Sequence, residues 1–294
     1  MGEAYIVAIA RTAGGRKGGR LKDWHPVDMA AKIIDTLVEK TKADPALIDD
    51  VIMGCVGQAG EQAMNIARNA VRASSLPESV PATTVDRQCG SSQQALHFAA
   101  QAVMSGTMDC VIAAGVESMS RVPMGLPIML PMKNGFGIYK SPGLEKRYPG
   151  IMFSQFDGAE MIAKKYDLSK ETLDTFGYHS HRKGKEATES GAFDGEIVPL
   201  EIVDAEGNAA LHTVDEGIRF NASLEAMQAG EVAQGGGRPA AGPCRPDARC
   251  LPIAQPLKWR RRQACDQQAP WHAPRRRVRA PRSAHRQVKP GRPG

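Results

Sequence analysis

Val85-Asp86-Arg87-Gln88-Cys89-Gly90-Ser91-Ser92, residues 85–92, decides the fold, because it joins two segments of different period. Before it, Thr83-Thr84-Val85 reads as the end of a strand. After it, Gln93-Gln94-Ala95-Leu96-His97-Phe98-Ala99-Ala100 reads as a helix. A cysteine at such a turn lies beside the first N–H groups of the helix, whose partial positive charge favours thiolate over thiol. Gly90 removes a side chain next to the sulfur, giving room for a bulky acyl substrate, and Ser91 or Ser92 supplies a cap. The opposing reading is a cysteine buried as a small hydrophobe.

Working outward, residues 1–118 alternate strand and helix signals. Tyr5-Ile6-Val7-Ala8-Ile9-Ala10 is a continuous apolar run, as expected of a strand buried on both faces. Pro26-Val27-Asp28 opens a helix whose stripe is Ala30, Ile33, Ile34, Leu37 and Val38. Asp44-Pro45 starts a short helix, residues 51–56 form a strand, and a helix is expected from Glu61 to Ala73. The helix after Cys89 runs to Met104 and is stopped by Gly106, before the strand Cys110–Gly115. This is α/β with a mostly parallel sheet. Residues 119–232 break the alternation with a loop-rich stretch from Arg121 to Phe153, read as an inserted loop domain. Helices are expected from Gly158 to Tyr166 and from Ser169 to Glu189, with an edge strand at 196–200, since Pro199 cannot donate to a ladder.

The charge divides the chain. From Ala233 onward there are 15 Lys/Arg against 2 Asp/Glu, and before it 23 against 30, so the net +6 averages an acidic body and a basic tail. Residues 233–294 also hold 10 of the 20 prolines and the runs Arg260–Arg262 and Arg275–Arg277. One reading is a disordered, nucleic-acid-binding tail. The preferred one is a frameshift product, because Arg, Pro, Ala and Gly are what G+C-rich coding sequence yields out of frame. Six cysteines without secreted-domain spacing, and no basic leader before the short apolar run, point to a soluble, cytoplasmic protein with no membrane partner.

Several stretches together resemble the thiolases of the degradative 3-ketoacyl-CoA type. They are E-A-Y-I-V-A-I-A-R-T at Glu3–Thr12, N-I-A-R at Asn65–Arg68 and V-P-A-T-T-V-D-R-Q-C-G-S-S-Q-Q-A at Val80–Ala95. G-V-E-S-M-S at Gly115–Ser120, A-E-M-I-A at Ala159–Ala163 and E-I-V-P-L at Glu196–Leu200 follow in order. The resemblance covers residues 3 to about 228, a little over half of a complete thiolase. It implies the first half of a layered α/β/α/β/α fold with a loop domain facing coenzyme A. Cys89 would be the nucleophile of acyl transfer between 3-ketoacyl-CoA or acetyl-CoA and CoA, its backbone N–H an oxyanion donor, and Arg219 a contact to the nucleotide end of coenzyme A. Coenzyme A is then a co-substrate, no separate cofactor is needed, and an intact enzyme forms homo-oligomers. A lone first half exposes the face its second half should cover, so a marginally stable, aggregation-prone product is expected.

Departures accompany the matches. The histidine of the family's G-H-P motif, the second cysteine of C-x-G and the asparagine of N-E-A-F have no counterparts here. Losing a general base alone costs about 10²–10⁴ in rate, so this chain is read as impaired. Phe156 and Asp157 replace the glycine that many thiolases carry after Ser-Gln, leaving that turn open. A ketoacyl-synthase-like condensing enzyme, or a non-catalytic fragment acting through the basic tail, are the competing readings.

Other signals carry less. Gly14-Gly15-Arg16-Lys17-Gly18-Gly19 lacks phosphate-loop spacing and reads as a solvated turn. His97 lies two helical turns beyond Cys89, rotated about 80°, and is no base for it. His179 and His181 read as surface residues, Met119 as core or acyl-pocket lining. Cys244, Cys250, Cys265 and His272 match no zinc spacing, and no metal site is expected.

Overall fold

The computed structural model describes residues 2–230, and its first elements are β1 (Arg11–Thr12), α1 (Pro26–Thr41), β2 (Asp50–Gly54), α2 (Ile66–Ala73), β3 (Ala82–Val85), α3 (Ser91–Ser105) and β4 (Val111–Gly115). The basic tail from Ala233, with Cys244, Cys250, Cys265 and His272, lies outside these residues. β2 is the central strand of a parallel sheet in the order β3-β2-β4, with Ile52 opposite both Thr83 and Ala113. Because side chains alternate along a strand, the two faces of this sheet meet different helices. Val51, Met53, Ile112 and Ala114 pack with Ile34 of α1 and Ile66 and Val71 of α2, while Ile52 and Ala113 pack with Ala95 and Ala99 of α3. The result is an α/β/α sandwich. Its larger core is on the α1–α2 side, where full burial of each branched aliphatic side chain contributes about 1.5–3 kcal/mol.

Local signals set most boundaries. Pro26 occupies the first turn of α1 behind His25, whose ring accepts the Val27 N–H at 3.3 Å, and α3 ends on Gly106 at φ 73°, a left-handed cap that glycine adopts without strain. The helix expected over 61–73 is broken instead. A single 3-10 turn (Gly60–Gln62) precedes Asn65 at φ 58°, and only then does α2 begin. Asn65 explains the break: it donates to the Ala82 carbonyl at 2.9 Å and accepts the Thr84 hydroxyl at 2.7 Å, so it is tied to β3 rather than wound into the helix.

The apolar run at residues 5–10 forms no strand, which corrects the sequence expectation. Only Arg11–Thr12 pairs, in parallel with β5 (Ile197–Val198), and Tyr5 and Val7 are 76% and 82% exposed. A strand buried on both faces needs layers above and below it and a hydrogen-bonding neighbour in the sheet, and among the described residues nothing pairs with the outer edge of β4. A cavity of about 270 Å³ lies there, with Ala10 and Thr12 on one wall, Ala113 and Gly115 on the other, and Ile33 and Leu37 of α1 also lining it.

Beyond β4 come α4 (Leu126–Lys133), α5 (Pro142–Arg147), α6 (Gln155–Lys165) and α7 (Lys170–Glu189), then β5, β6 (Leu200–Val203), β7 (Ala209–His212) and α8 (Leu224–Gln228). The 121–153 stretch buries little: α4 has no buried residue, and Met129, Phe136 and Met152 are exposed. α6 starts three residues earlier than expected, because Ser154 caps it by accepting from the Phe156 and Asp157 N–H groups. Phe156 and Asp157 therefore sit in a regular first turn. α7 starts at the Ser169 cap as expected. The edge strand splits at Pro199 into β5 and β6, and β6 forms an unforeseen antiparallel hairpin with β7.

Candidate active site

Cys89 is exposed and lies in the turn between β3 and α3, two residues before the helix, at φ 59°. A non-glycine residue in this left-handed region carries local strain, which persists only where the surroundings hold it. The holding bonds are visible on both sides. Asp86 accepts the Gln88 N–H at 3.0 Å, Ser91 Oγ accepts the Arg87 N–H at 3.1 Å, and the Gly90 N–H reaches the Arg87 and Gln88 carbonyls at 2.8 Å. Ser91 thus acts as a brace, while the helix N-cap is Gly90 without any side-chain cap.

Two glycines bring this turn onto the sheet. A Cβ on Gly54, the last residue of β2, would collide with the Ser91–Ser92 backbone, and one on Gly115, the last of β4, would come 2.5 Å from Ser92 Cβ. The start of α3 therefore rests directly on the carboxyl ends of two parallel strands, where open α/β sheets place their ligands. Neither glycine stood out in the sequence. Both stand at the end of an apolar strand, which also fits an ordinary strand stop, and Gly115 in addition opens the thiolase-like stretch Gly115–Ser120.

The other cysteines contrast with Cys89. Cys55, next after β2, is buried, and burial, with Glu117 and Asp86 nearby, pushes its thiol up to about 12. Burial also raises Cys110. Iodoacetamide at neutral pH should therefore alkylate Cys89 at least tenfold faster than either. Peptide mapping over time measures the three rates, and equal rates would remove the case for Cys89 as the reactive thiol.

The 116–120 loop borders the glycine ends. Gln62, fully buried, accepts the Ser118 N–H at 2.6 Å and donates to the Gly57 carbonyl at 2.7 Å, while Glu117 accepts the Gly57 N–H at 2.9 Å. Ser120 in turn accepts the Gly18 N–H at 2.9 Å. The glycine-rich loop 14–19 has an internal anion: Glu216 accepts the N–H groups of Arg16 and Arg20 at 3.1 and 3.0 Å. Those donors serve a carboxylate of the same chain, consistent with discounting a phosphate loop.

Arg219 follows shortly after Glu216 and is exposed. Among the described residues no hydrogen bond or ion pair joins it to the Cys89 turn. His97 is exposed on α3, as expected for a residue with no role at the thiol. Among the described residues no group of three or more His, Cys, Asp and Glu is placed to hold a metal, and no helix is long and apolar enough to cross a membrane.

A family model for the N-terminal domain of thiolase matches residues 4–237. The chain belongs to the thiolase family. The steroid 3-ketoacyl-CoA thiolase of Mycobacterium tuberculosis is 43% identical over 81% of this chain and 58% of its own length. The 3-ketoacyl-CoA thiolase of Escherichia fergusonii is 38% identical over 77% of this chain and 57% of its own. Among solved structures, the acetyl-CoA acetyltransferase of Bacillus anthracis superposes with a TM-score of 0.69 at 29% identity, covering 81% of this chain and 61% of that one. The chain thus spans under two thirds of the length of these thiolases, and the thiolase-like α/β fold expected from the sequence is the one found.

Proposed function

We propose that this chain is a thiolase-type acyltransferase, in which Cys89 takes an acyl group from an acyl-CoA or 3-ketoacyl-CoA as a thioester and passes it to coenzyme A. The observation that carries this is an exposed thiol in a strained turn, set on the glycine ends of two parallel strands in a thiolase sheet. With acetyl-CoA the balance is simple. The Cys89 thiolate attacks the thioester carbonyl, the new S–C bond forms as the bond to the coenzyme A sulfur breaks, and the released thiolate takes a proton from water. With a 3-ketoacyl-CoA the carbon–carbon bond breaks instead, and the departing acetyl-CoA carbanion must be protonated. Among the described residues no protein acceptor takes the Cys89 backbone N–H, which leaves it available to the oxyanion on the carbonyl.

Cysteine loading needs fewer partners than full turnover. Thioester exchange is therefore the step that the Cys89 turn supports by itself. Arg219 supplies a cation for the phosphates of coenzyme A, which serves as co-substrate; no separate cofactor enters this reading. Cytoplasmic location and homo-oligomer formation belong to the same reading, as does 119–232 acting as a coenzyme-A-facing domain.

Intact-mass spectrometry after incubation with acetyl-CoA tests the proposal. The expected result is one added acetyl group on wild type, mapped to Cys89 and discharged by free coenzyme A, with none on Cys89→Ser. Equal acetylation of wild type and Cys89→Ser, or label on Cys110 instead, would overturn it.

A further inference from the structure

His181 was read as a surface residue, and the structure places it otherwise. It is partly buried on α7, and its Nδ1 accepts the backbone N–H of Arg219 at 3.2 Å. One helical turn on, Gly184 is buried and opens a notch for the preceding loop residue: a Cβ there would lie 3.2 Å from both Cδ1 and Cγ1 of Ile218. At the other end of the loop, Asp215 is gripped by Arg11 at 2.7 and 3.1 Å and also accepts the Gly14 N–H. Residues 215–219 are therefore pinned at both ends and at Ile218, and the Arg219 side chain leaves from the last pin into solvent.

We infer that His181 is a positioning residue for Arg219: its neutral imidazole fixes the backbone from which the guanidinium reaches an anionic ligand, which, on the function proposed above, is the phosphate-bearing end of coenzyme A. The acceptor at Nδ1 is a lone pair, so the bond exists only while that nitrogen is unprotonated. A protonated ring would turn a second N–H toward the Arg219 N–H and add a positive charge beside Arg219. Along α7, Arg182 is paired with Glu186 at 3.4 Å and Lys185 with Glu189 at 3.8 Å, which leaves Arg219 as the charge that bears on the ring. Burial, then the Arg219 charge, holds the ring below the ordinary histidine range, so it stays neutral at physiological pH. The anchor is therefore present throughout the ordinary histidine range and above it, and is lost only as pH falls below that range.

Hydrogen exchange at the Arg219 amide, corrected for intrinsic rate, reads the anchor without any ligand, and calorimetric titration with coenzyme A reads its consequence. Exchange in wild type should be slow at about pH 8 and roughly tenfold faster once the pH has been taken far enough below the ordinary histidine range to protonate the ring. His181→Ala should exchange fast at both and bind coenzyme A several-fold more weakly at about pH 8. In His181→Asn the amide oxygen replaces Nδ1 as acceptor and does not titrate. This variant should keep slow exchange and wild-type affinity while losing the pH dependence. Identical exchange at Arg219 in wild type and His181→Ala, or failure of His181→Asn to restore protection, overturns the inference. Wild type that shows the exchange pattern but binds no coenzyme A supports the anchor and sinks the reading of Arg219 as a coenzyme A contact.

Discussion

Gly54→Ala is expected to lower the stability of the described body by about 3 kcal/mol and to slow alkylation of Cys89, because overpacking a closed contact costs about 1–3 kcal/mol or more. The added methyl meets backbone, at Ser91 and Ser92, rather than the flexible end of a side chain. β2 cannot retreat, since it is hydrogen-bonded between β3 and β4 and every residue from Val51 to Gly54 is buried. The start of α3 must therefore lift, and Cys89 lifts with it. Urea unfolding measures the stability loss, and the iodoacetamide rate at Cys89 measures the displacement. Gly57→Ala is a useful contrast, because its methyl would meet only side-chain atoms, the nearest at 3.1 Å. A Gly54→Ala protein as stable and as reactive as wild type would show that α3 does not bear on the strand ends.

Asp215→Ala should cost about 1–3 kcal/mol, the range for removing a buried acceptor and leaving its donors unpaired. Asp215 is only 3% exposed and meets both terminal nitrogens of Arg11, whose Nε contacts Glu196 at 2.6 Å and whose guanidinium lies 4.9 Å from the Phe193 ring centre. This cluster joins the segment after the apolar run to β5 and to the Arg219 loop, three places far apart in sequence. Its loss should free residues 215–219 as well as destabilise the fold. Asp215→Asn, which keeps an acceptor for the Gly14 N–H, should lose less. If Asp215→Ala unfolds at the wild-type urea midpoint, Arg11 is held by Glu196 and Phe193 alone.

The strand–turn–helix around Cys89 was legible because three local signals agree there: a β-branched extended run, a glycine at the turn and a helix stopped by Gly106. α1, α7 and β4 were legible for the same reason, each carrying its period and its stop within its own residues. The run at residues 5–10 was misread because strand formation is not local. Its apolar content says that it must be covered on both sides, and nothing in those six residues says by what. Asn65 misled in the opposite direction, since a helix-compatible sequence was interrupted by bonds to β3, seventeen and nineteen positions away.

By itself the sequence determined the α/β class, the cysteine at the strand-to-helix turn and the thiolase resemblance, because period, turn chemistry and motif order are properties of adjacent residues. Tertiary structure alone decided where that cysteine's turn rests and what holds that arginine. Gly54 and Gly115 matter through Ser91 and Ser92, Asp215 through Arg11, and Arg219 through His181. Each of these is a contact between segments well separated along the chain, whose meeting depends on the packing of the whole sandwich rather than on any one stretch of it.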